Sequence, residues 1–310
     1  MQDKVPVKYL FIINPGSGRQ SADSWHTVIS GYFKEESSFD IYILPEMFDA
    51  GKIHTYITER NPGNVIAVGG DGTITMLANM LKGTDIPLGI IPGGSANGMA
   101  KELGIPPDPT DALKIITAGF IKSCDLIRIN ESNCCLHLSD LGLNARLIKY
   151  FDEGKLRGKL GYAKVIIRAL WHSEKMYVSI RTKDTVVKRI AYMVVLANAR
   201  MYGTGAVINP EGTPFDGLFE VIIVRRLSFR ALLKMLFRPG IFNPKHIEII
   251  SCTSAEINTT RKFHFQLDGE YMGKINKVTA VINPGAVKML LPGTKEEIEI
   301  RAYNFLNTSA

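Results

Sequence analysis

Residues 65 to 76 read Val-Ile-Ala-Val-Gly-Gly-Asp-Gly-Thr-Ile-Thr-Met, and no other stretch limits the fold so strongly. Four apolar, largely β-branched residues, Val65 to Val68, predict a short strand buried on both faces. Gly69, Gly70 and Gly72 let the backbone turn sharply, and Ile74 to Leu81 carries apolar residues at helical spacing. Strand, glycine turn and helix together aim unpaired main-chain N–H groups and the positive end of a helix dipole at one place, which suits a phosphate. Asp71 sits inside that loop. A carboxylate beside a phosphate cradle is repelled unless it holds a cation or handles a proton, so Asp71 points to metal-assisted phosphoryl chemistry. Alone, the loop also fits a plain tight turn, being neither G-x-x-x-x-G-K-[ST] nor a well-placed G-x-G-x-x-G.

The flanking chain strengthens the phosphate reading. Short strands at Lys8 to Ile13, Phe39 to Leu44, Asn64 to Val68 and Pro87 to Ile91 alternate with helical patterns at Ser21 to Phe33, Asp49 to Arg60 and Thr73 to Lys82. Such alternation predicts a parallel, doubly wound sheet with right-handed crossovers. Ligands of these sheets bind beyond the carboxyl ends of the strands. Three strand ends carry glycine-rich turns: Asn14-Pro15-Gly16-Ser17-Gly18, Gly69 to Thr73, and Pro92-Gly93-Gly94-Ser95-Ala96-Asn97-Gly98. At one sheet edge they would converge on one crevice, and a nucleoside triphosphate is its natural occupant.

After the Pro106-Pro107-Asp108-Pro109 cluster a last helix, Thr110 to Gly119, closes this region, and from about Ser123 short strand-like runs dominate. Cys124 to Ile129, Cys135 to Leu138, Met176 to Arg181, Val187 to Asn198, Leu218 to Val224, His246 to Cys252, Phe263 to Gln266 and Lys277 to Ile282 predict a β-sandwich-like second domain. Only Gly161 to Trp171 and Ser228 to Phe237 look helical there. The expected division is therefore 1–125 for the α/β domain, 126–292 for the β-rich domain, and a tail, 293–310, packing back on the first. With 310 residues the chain has room for two cores.

Composition narrows the function classes. No apolar run approaches the roughly 20 residues of a membrane span, and Tyr9 to Ile13 is too short for a signal-peptide core, so a cytoplasmic location is expected. Cys124, Cys134, Cys135 and Cys252 lack metal-ligand spacing and suit a reducing compartment. The scattered histidines argue against zinc. A net charge of +7 favours an anionic partner. Nucleic acid is not expected as that partner, because no binding module or basic-aromatic sheet motif is present. The run Arg225 to Arg238 mixes basic and bulky apolar residues, as a helix lying on an anionic membrane surface does, and equally as a packed helix with solvated arginines does. Arg146 to Trp171 is a second candidate rim for lipid entry.

Two Asp-Gly pairs remain. Phe215-Asp216-Gly217-Leu218 and Leu267-Asp268-Gly269-Glu270 both read as tight hairpin turns. On a continuing strand, however, Asp268 and Glu270 would share one face, and that pair could supply a base for a hydroxyl nucleophile.

Taken in order, Asn14 to Gly18, Gly69 to Thr73, Pro92 to Asn97, Asp216-Gly217 and Leu267 to Glu270 resemble the diacylglycerol and sphingosine lipid kinase family, over nearly the whole chain. The resemblance implies an ATP-binding α/β domain and a lipid-binding β-rich domain, with catalysis in the cleft between them. It implies nucleotide contacts at Asn14, Pro15, Gly16, Ser17 and Gly18, at Gly70, Asp71, Gly72, Thr73, Ile74, Thr75 and Met76, and at Ser95 and Asn97. Mg²⁺ would lie near Asp216, with the main-chain oxygens of Thr213 and Leu218 as fellow ligands. Glu270 takes the proton acceptor's position, and Asp268 is the reserve candidate. The family's usual Asn-Glu is Thr75-Met76 here, an Asp is Gly98, and a threonine is Leu44; that Asp would join a network with Arg19 and Asp125.

The implied reaction is ATP- and Mg²⁺-dependent transfer of a γ-phosphoryl group to a hydroxyl of a membrane lipid, diacylglycerol or a sphingoid type, reached by peripheral contact at the inner membrane surface. A soluble NAD kinase shares the Gly-Gly-Asp-Gly-Thr loop and a β-rich second domain, and a nucleotide- or lipid-binding regulator without catalysis is a third reading. Pairing of an edge strand in a homodimer stays open.

Overall fold

A computed structural model describes residues 8–18, 20–33, 38–153, 174–202, 207–226 and 246–294. The helical patterns at Gly161 to Trp171 and Ser228 to Phe237, the basic run beyond Arg226, Arg19 and the tail from residue 295 lie outside them. The chain divides into two compact units, Met1–Ser123 with Val287–Ala310, and Cys124–Ala286.

The first unit alternates β1 (Tyr9–Ile13), α1 (Ala22–Tyr32), β2 (Phe39–Ile43), α2 (Ala50–Arg60), β3 (Asn64–Gly69), α3 (Asp71–Leu81), β4 (Leu88–Pro92), α4 (Gly98–Glu102) and α5 (Pro109–Ala118). β1 pairs in parallel with both β2 and β3, and β3 with β4. Met289, far down the chain, adds a further parallel pairing at Leu88 of β4. Chain order therefore reverses between β1 and β3, the kind of switch point where open α/β sheets bind ligands.

Every residue of β1 and β4 is buried, as expected of strands covered on both faces. Ile29, Ile53, Ile57, Ile74, Leu77, Leu113 and Ile116 supply the helix side of the core. Burying each such side chain contributes about 1.5–3 kcal/mol. Side chains fix where most helices begin: Ser21 accepts from Ser24 N–H, Asp49 from Gly51 N–H, and Asp108 from Thr110 and Asp111 N–H, with Pro109 opening α5. α3 differs. Gly70 stands at its N-cap and no side chain bonds its first amides.

The second unit begins within β5 (Phe120–Ile129) and continues through β6 (Asn133–Cys135), β7 (Leu138–Gly142), α6 (Leu143–Glu153), β8 (Met176–Thr182), β9 (Val186–Ala191), β10 (Met193–Ala197), β11 (Phe219–Val224), β12 (Ile247–Cys252), β13 (Ser254–Leu267) and into β14 (Glu270–Leu291). All its registered pairings are antiparallel.

β13 belongs to two layers. Its first half, Ala255 to Thr259, pairs with β8, and its last residues, Phe265 to Leu267, pair with β7. Register shifts between Asn258 and Phe263 and between His264 and Gln266 mark where the strand bends. Ile127, Leu141, Val178, Ile180, Leu196, Phe219, Val221, Ile257, Phe265 and Val278 form one buried cluster, the core of a β-sandwich-like unit.

Four strand expectations need correction: Cys135 to Leu138 is no strand but spans the bend between β6 and β7. Val187 to Asn198 is two strands: Tyr192 breaks the run, so that β9 pairs with β8 while β10 pairs with β7 and β11. Phe263 to Gln266 and Lys277 to Ile282 are fragments of strands of 14 and 22 residues. Polar stretches such as Asn258 to Lys262 carry no apolar alternation, because Thr260, Arg261 and Lys262 are exposed in succession and the buried Thr259 is polar.

Candidate functional site

Each unit carries its own part of the candidate chemistry. In the first unit the turns after β1, β3 and β4 meet at the sheet's carboxyl edge. Asn14 N–H donates to Val68 O at 2.9 Å, and Gly93 N–H to Gly69 O at 2.8 Å, so the three strands end in step. Asn14 Nδ2 donates to Thr73 Oγ1 at 3.0 Å, while Asn14 Oδ1 accepts from Gly16 N–H and Asn14 O from Ser17 Oγ. In the third turn Asn97 holds the loop in shape, Oδ1 accepting from Gly94 N–H and Nδ2 donating to Gly94 O. The turns also touch: a Cβ built on Gly94 would lie 2.5 Å from Gly70 Cα.

Most residues assigned to nucleotide contact are thus gathered in one place. Pro15, Gly16, Gly18, Gly72 and Ser95 are exposed, and Ser17 and Gly70 are half-buried. Ile74 is not available as a side chain: it is fully buried in the core, leaving only its backbone. Thr75 O accepts from Asn79 Nδ2, and Met76 lines a shallow groove with Ala50, His54, Asn79 and Met80.

Asp71 is engaged by main chain. Its two carboxylate oxygens accept from Gly98 N–H and Met99 N–H, both at 2.9 Å. It therefore fastens the start of α4, and with it the third glycine turn, to the start of α3. A carboxylate whose oxygens are taken by main-chain donors is poorly placed to move protons, so no proton-transfer step is assigned to it. The five-residue helix α4 was invisible in the sequence, being too short for periodicity.

In the second unit Asp268 and Gly269 form a two-residue hairpin turn, with φ of 46° and 93° and Leu267 opposite Glu270. Asp268 consequently does not share a strand face with Glu270. Its carboxylate accepts from the main-chain N–H groups of Leu136 (2.8 Å), His137 (2.9 Å) and Leu138 (3.1 Å), and Cys135 Sγ lies 3.1 Å away. Burial and this neighbouring carboxylate push the Cys135 thiol well up, so it stays protonated and can donate. Glu270, the first residue of β14, is exposed.

The turn holding Thr213, Asp216 and Leu218 is organised by Asp125, which is 3% exposed. Asp125 Oδ2 accepts from Gly217 N–H and Oδ1 from Gly285 N–H, both at 2.7 Å, and Asp125 N–H donates to Pro214 O. Asp216 is exposed and accepts from Leu218 N–H at 2.9 Å. Asn198 Nδ2 donates to both Asp125 O and Leu136 O, coupling this turn to the segment that holds Asp268. Among the described residues there is no cluster of three or more His, Cys, Asp or Glu able to hold a metal. One carboxylate and two carbonyls, Asp216 with Thr213 and Leu218, are nonetheless the hard oxygen donors Mg²⁺ takes when water and phosphate complete its shell.

Sequence reading missed Asp140, whose single carboxylate in an apolar strand gave no pattern to find. It is fully buried, and burial pushes its pKa up to about 6 although Asn144, Gln266, Ala145 and Tyr202 all donate to it. Tyr202, beside it, is pushed up by burial and by Asp140.

An α/β unit with glycine turns at its switch point, followed by an antiparallel sandwich with an exposed carboxylate just after a tight turn, defines the class: a two-unit protein with a phosphate-suited sheet edge. Comparison with known proteins places it within that class. The model of the diacylglycerol kinase catalytic domain matches residues 8–129, and that of the YegS C-terminal NAD kinase beta sandwich-like domain matches residues 139–291. Proteins named probable lipid kinase YegS from Shigella boydii serotype 18, Shigella flexneri serotype 5b and Escherichia coli are each 29% identical over 266 residues, covering 84% of this chain and 88% of theirs. Two structures from Bacillus anthracis, titled a diacylglycerol kinase and a putative diacylglycerol kinase, share the fold, with a TM-score of 0.72 at 22% and 24% identity over 92% of this chain and 97% of theirs. The chain thus pairs a diacylglycerol kinase catalytic domain with a YegS C-terminal domain, the make-up of a lipid kinase. Among the described residues no helix is long and apolar enough to cross a membrane.

Two outcomes follow from this geometry. Gly94→Ala forces backbone against backbone and should lower stability by about 1–3 kcal/mol while weakening ATP binding, measured by urea unfolding and calorimetric titration. For Asp140 the folded pKa of about 6 lies above the ordinary 3.8, so its contribution is complete below 3.8 and is lost as pH rises to about 6. Melting temperatures across that range should therefore shift in favour of Asp140→Asn relative to the wild type as pH increases.

Proposed function

We propose that this kinase transfers the γ-phosphoryl group of ATP to a hydroxyl of a membrane lipid, with Mg²⁺, and that Glu270 accepts the hydroxyl proton. The observation that carries the reading is the meeting of three glycine turns beside the start of α3, which no side chain caps. Main-chain donors left uncapped by side chains at a helix start favour a polyphosphate, and such transfer needs positioning and charge neutralisation more than covalent help. Asn14, Ser17, Thr73 and Asn97 hold those turns in register by hydrogen bonds among themselves and to the backbone, so the cradle exists before ATP arrives.

Asp216, with the Thr213 and Leu218 carbonyls, would hold Mg²⁺, which when bound neutralises charge on the phosphates. Asp125 keeps that turn in shape through Gly217 N–H. Glu270 is exposed, whereas Asp268, the other carboxylate of the hairpin, is tied to main chain. The acceptor is a diacylglycerol or sphingoid-type lipid reached from a membrane surface, and the protein is cytoplasmic and peripheral. One finding keeps NAD as a second acceptor to be tested: the matched C-terminal domain is described as NAD kinase-like.

The deciding experiment offers γ-labelled ATP with a total lipid extract, and separately with NAD, with and without Mg²⁺, and identifies the product by mass. A labelled lipid is expected; labelled NAD and no lipid product would overturn the reading. Glu270→Gln should lower turnover about 10²–10⁴-fold with the KM for ATP unchanged. Asp125→Asn should raise the Mg²⁺ needed for half-maximal activity about 10–100-fold, read from a metal titration.

A further inference from the structure

Gln266 and Asp140 are direct partners across β13 and β7, and they are 1% and 0% exposed. Gln266 Nε2 donates to Asp140 Oδ2 at 2.6 Å and to Leu138 O at 3.3 Å, while Gln266 Oε1 accepts from Gly269 N–H at 2.7 Å. Gly269 is the second residue of the turn, and Glu270 follows it. The other neighbours of the Asp140 carboxyl are donors too: Asn144 Nδ2 at 2.7 Å, Ala145 N–H at 2.9 Å and Tyr202 OH at 3.4 Å.

A glutamine amide can sit either way round, and its partners decide which. Turned over, Gln266 would set its oxygen against the Asp140 carboxylate and the Leu138 carbonyl and its NH₂ against Gly269 N–H, three mismatches in a buried site. A carboxylate at position 140 therefore fixes the polarity that lets Gln266 hold the turn. The fold has no need of this: Asp268 and Gly269 already supply the positive φ of the hairpin, and an apolar pair would pack the sandwich at less desolvation cost.

We propose that the buried Asp140–Gln266 pair is a positioning device for Glu270, in which Asp140 orients the Gln266 amide and the amide clamps the turn that aims the Glu270 carboxyl. This rests on Glu270 being the base. Both residues are positioning residues and touch no substrate. Control of a side chain's direction from behind is what a base working on a mobile lipid hydroxyl requires.

The test uses the full chain with ATP, Mg²⁺ and mixed micelles carrying diacylglycerol, and follows exchange of the Gly269 amide proton in parallel. Gln266→Glu sets two carboxylates face to face, and Gln266→Met keeps shape while removing all three side-chain hydrogen bonds. Each should lower kcat about 10–100-fold with little change in the KM for ATP, and each should speed Gly269 exchange. The double variant Asp140→Asn/Gln266→Glu reverses donor and acceptor: the amide introduced on β7 can donate to the carboxylate introduced on β13, whose other oxygen accepts from Gly269 N–H. It should recover part of the lost kcat, the Leu138 carbonyl being left without its donor, and slow the exchange again.

Wild-type kcat in Gln266→Met, or a double variant no better than Gln266→Glu, would overturn the proposal. Should Gln266→Glu fail to fold, Gln266→Met and the double variant decide alone. Glu270→Gln run alongside separates the two ideas: unchanged kcat there removes the base assignment, while Gly269 exchange still reports whether the clamp exists.

Discussion

A carboxylate accepting main-chain N–H groups is the interaction on which the site's geometry rests. Asp71 ties the starts of α3 and α4 together, Asp125 shapes the turn containing Asp216, and Asp268 gathers the amides of Leu136, His137 and Leu138. Each brings two or three otherwise unpaired donors to one charged acceptor, in places where the chain leaves regular structure. Such bonds are charge-assisted and roughly twice as strong as neutral ones.

The acidic residues differ in their exposure and in how many main-chain donors reach them. Asp71, Asp125 and Asp268 all have their carboxylates engaged by backbone. Asp216 and Glu270 are exposed. Asp140 is fully buried, its pKa lifted to about 6 by that burial, and the Gln266 amide bonds both it and Gly269 of the hairpin. A chain that transfers phosphoryl groups gains from this. Backbone turns held by internal carboxylates keep their shape by themselves.

The alternating half was legible almost residue by residue. Pure apolar strands such as Tyr9–Ile13 and Leu88–Pro92, separated by helices with side-chain caps, announce themselves because both faces are buried and the caps use few residue types. The second half was legible as a class and blurred in detail. Val186–Ala191 and Met193–Ala197 merged into one run because Tyr192, which separates them, is itself a good strand former. The long β13 and β14 were read as fragments because a strand wet on one side has no continuous apolar signal. In the candidate site the three glycine turns were found from sequence, since a sharp strand-to-helix turn demands glycine. Asp140, Gln266 and α4 were not, for they have meaning only beside residues distant in the chain.

The order of amino acids alone determined which segments are strand or helix, where glycine lets the chain turn, and hence that phosphate-suited amides follow three strands, because those are local consequences of backbone sterics and apolar periodicity. Only the tertiary structure decided which carboxylates are spent. Asp71 lies 27 residues from Gly98, and Asp268 lies 132 from Leu136. A carboxylate's role is set by the donors that reach it, and long-range packing alone brings those donors within about 3 Å of the acid.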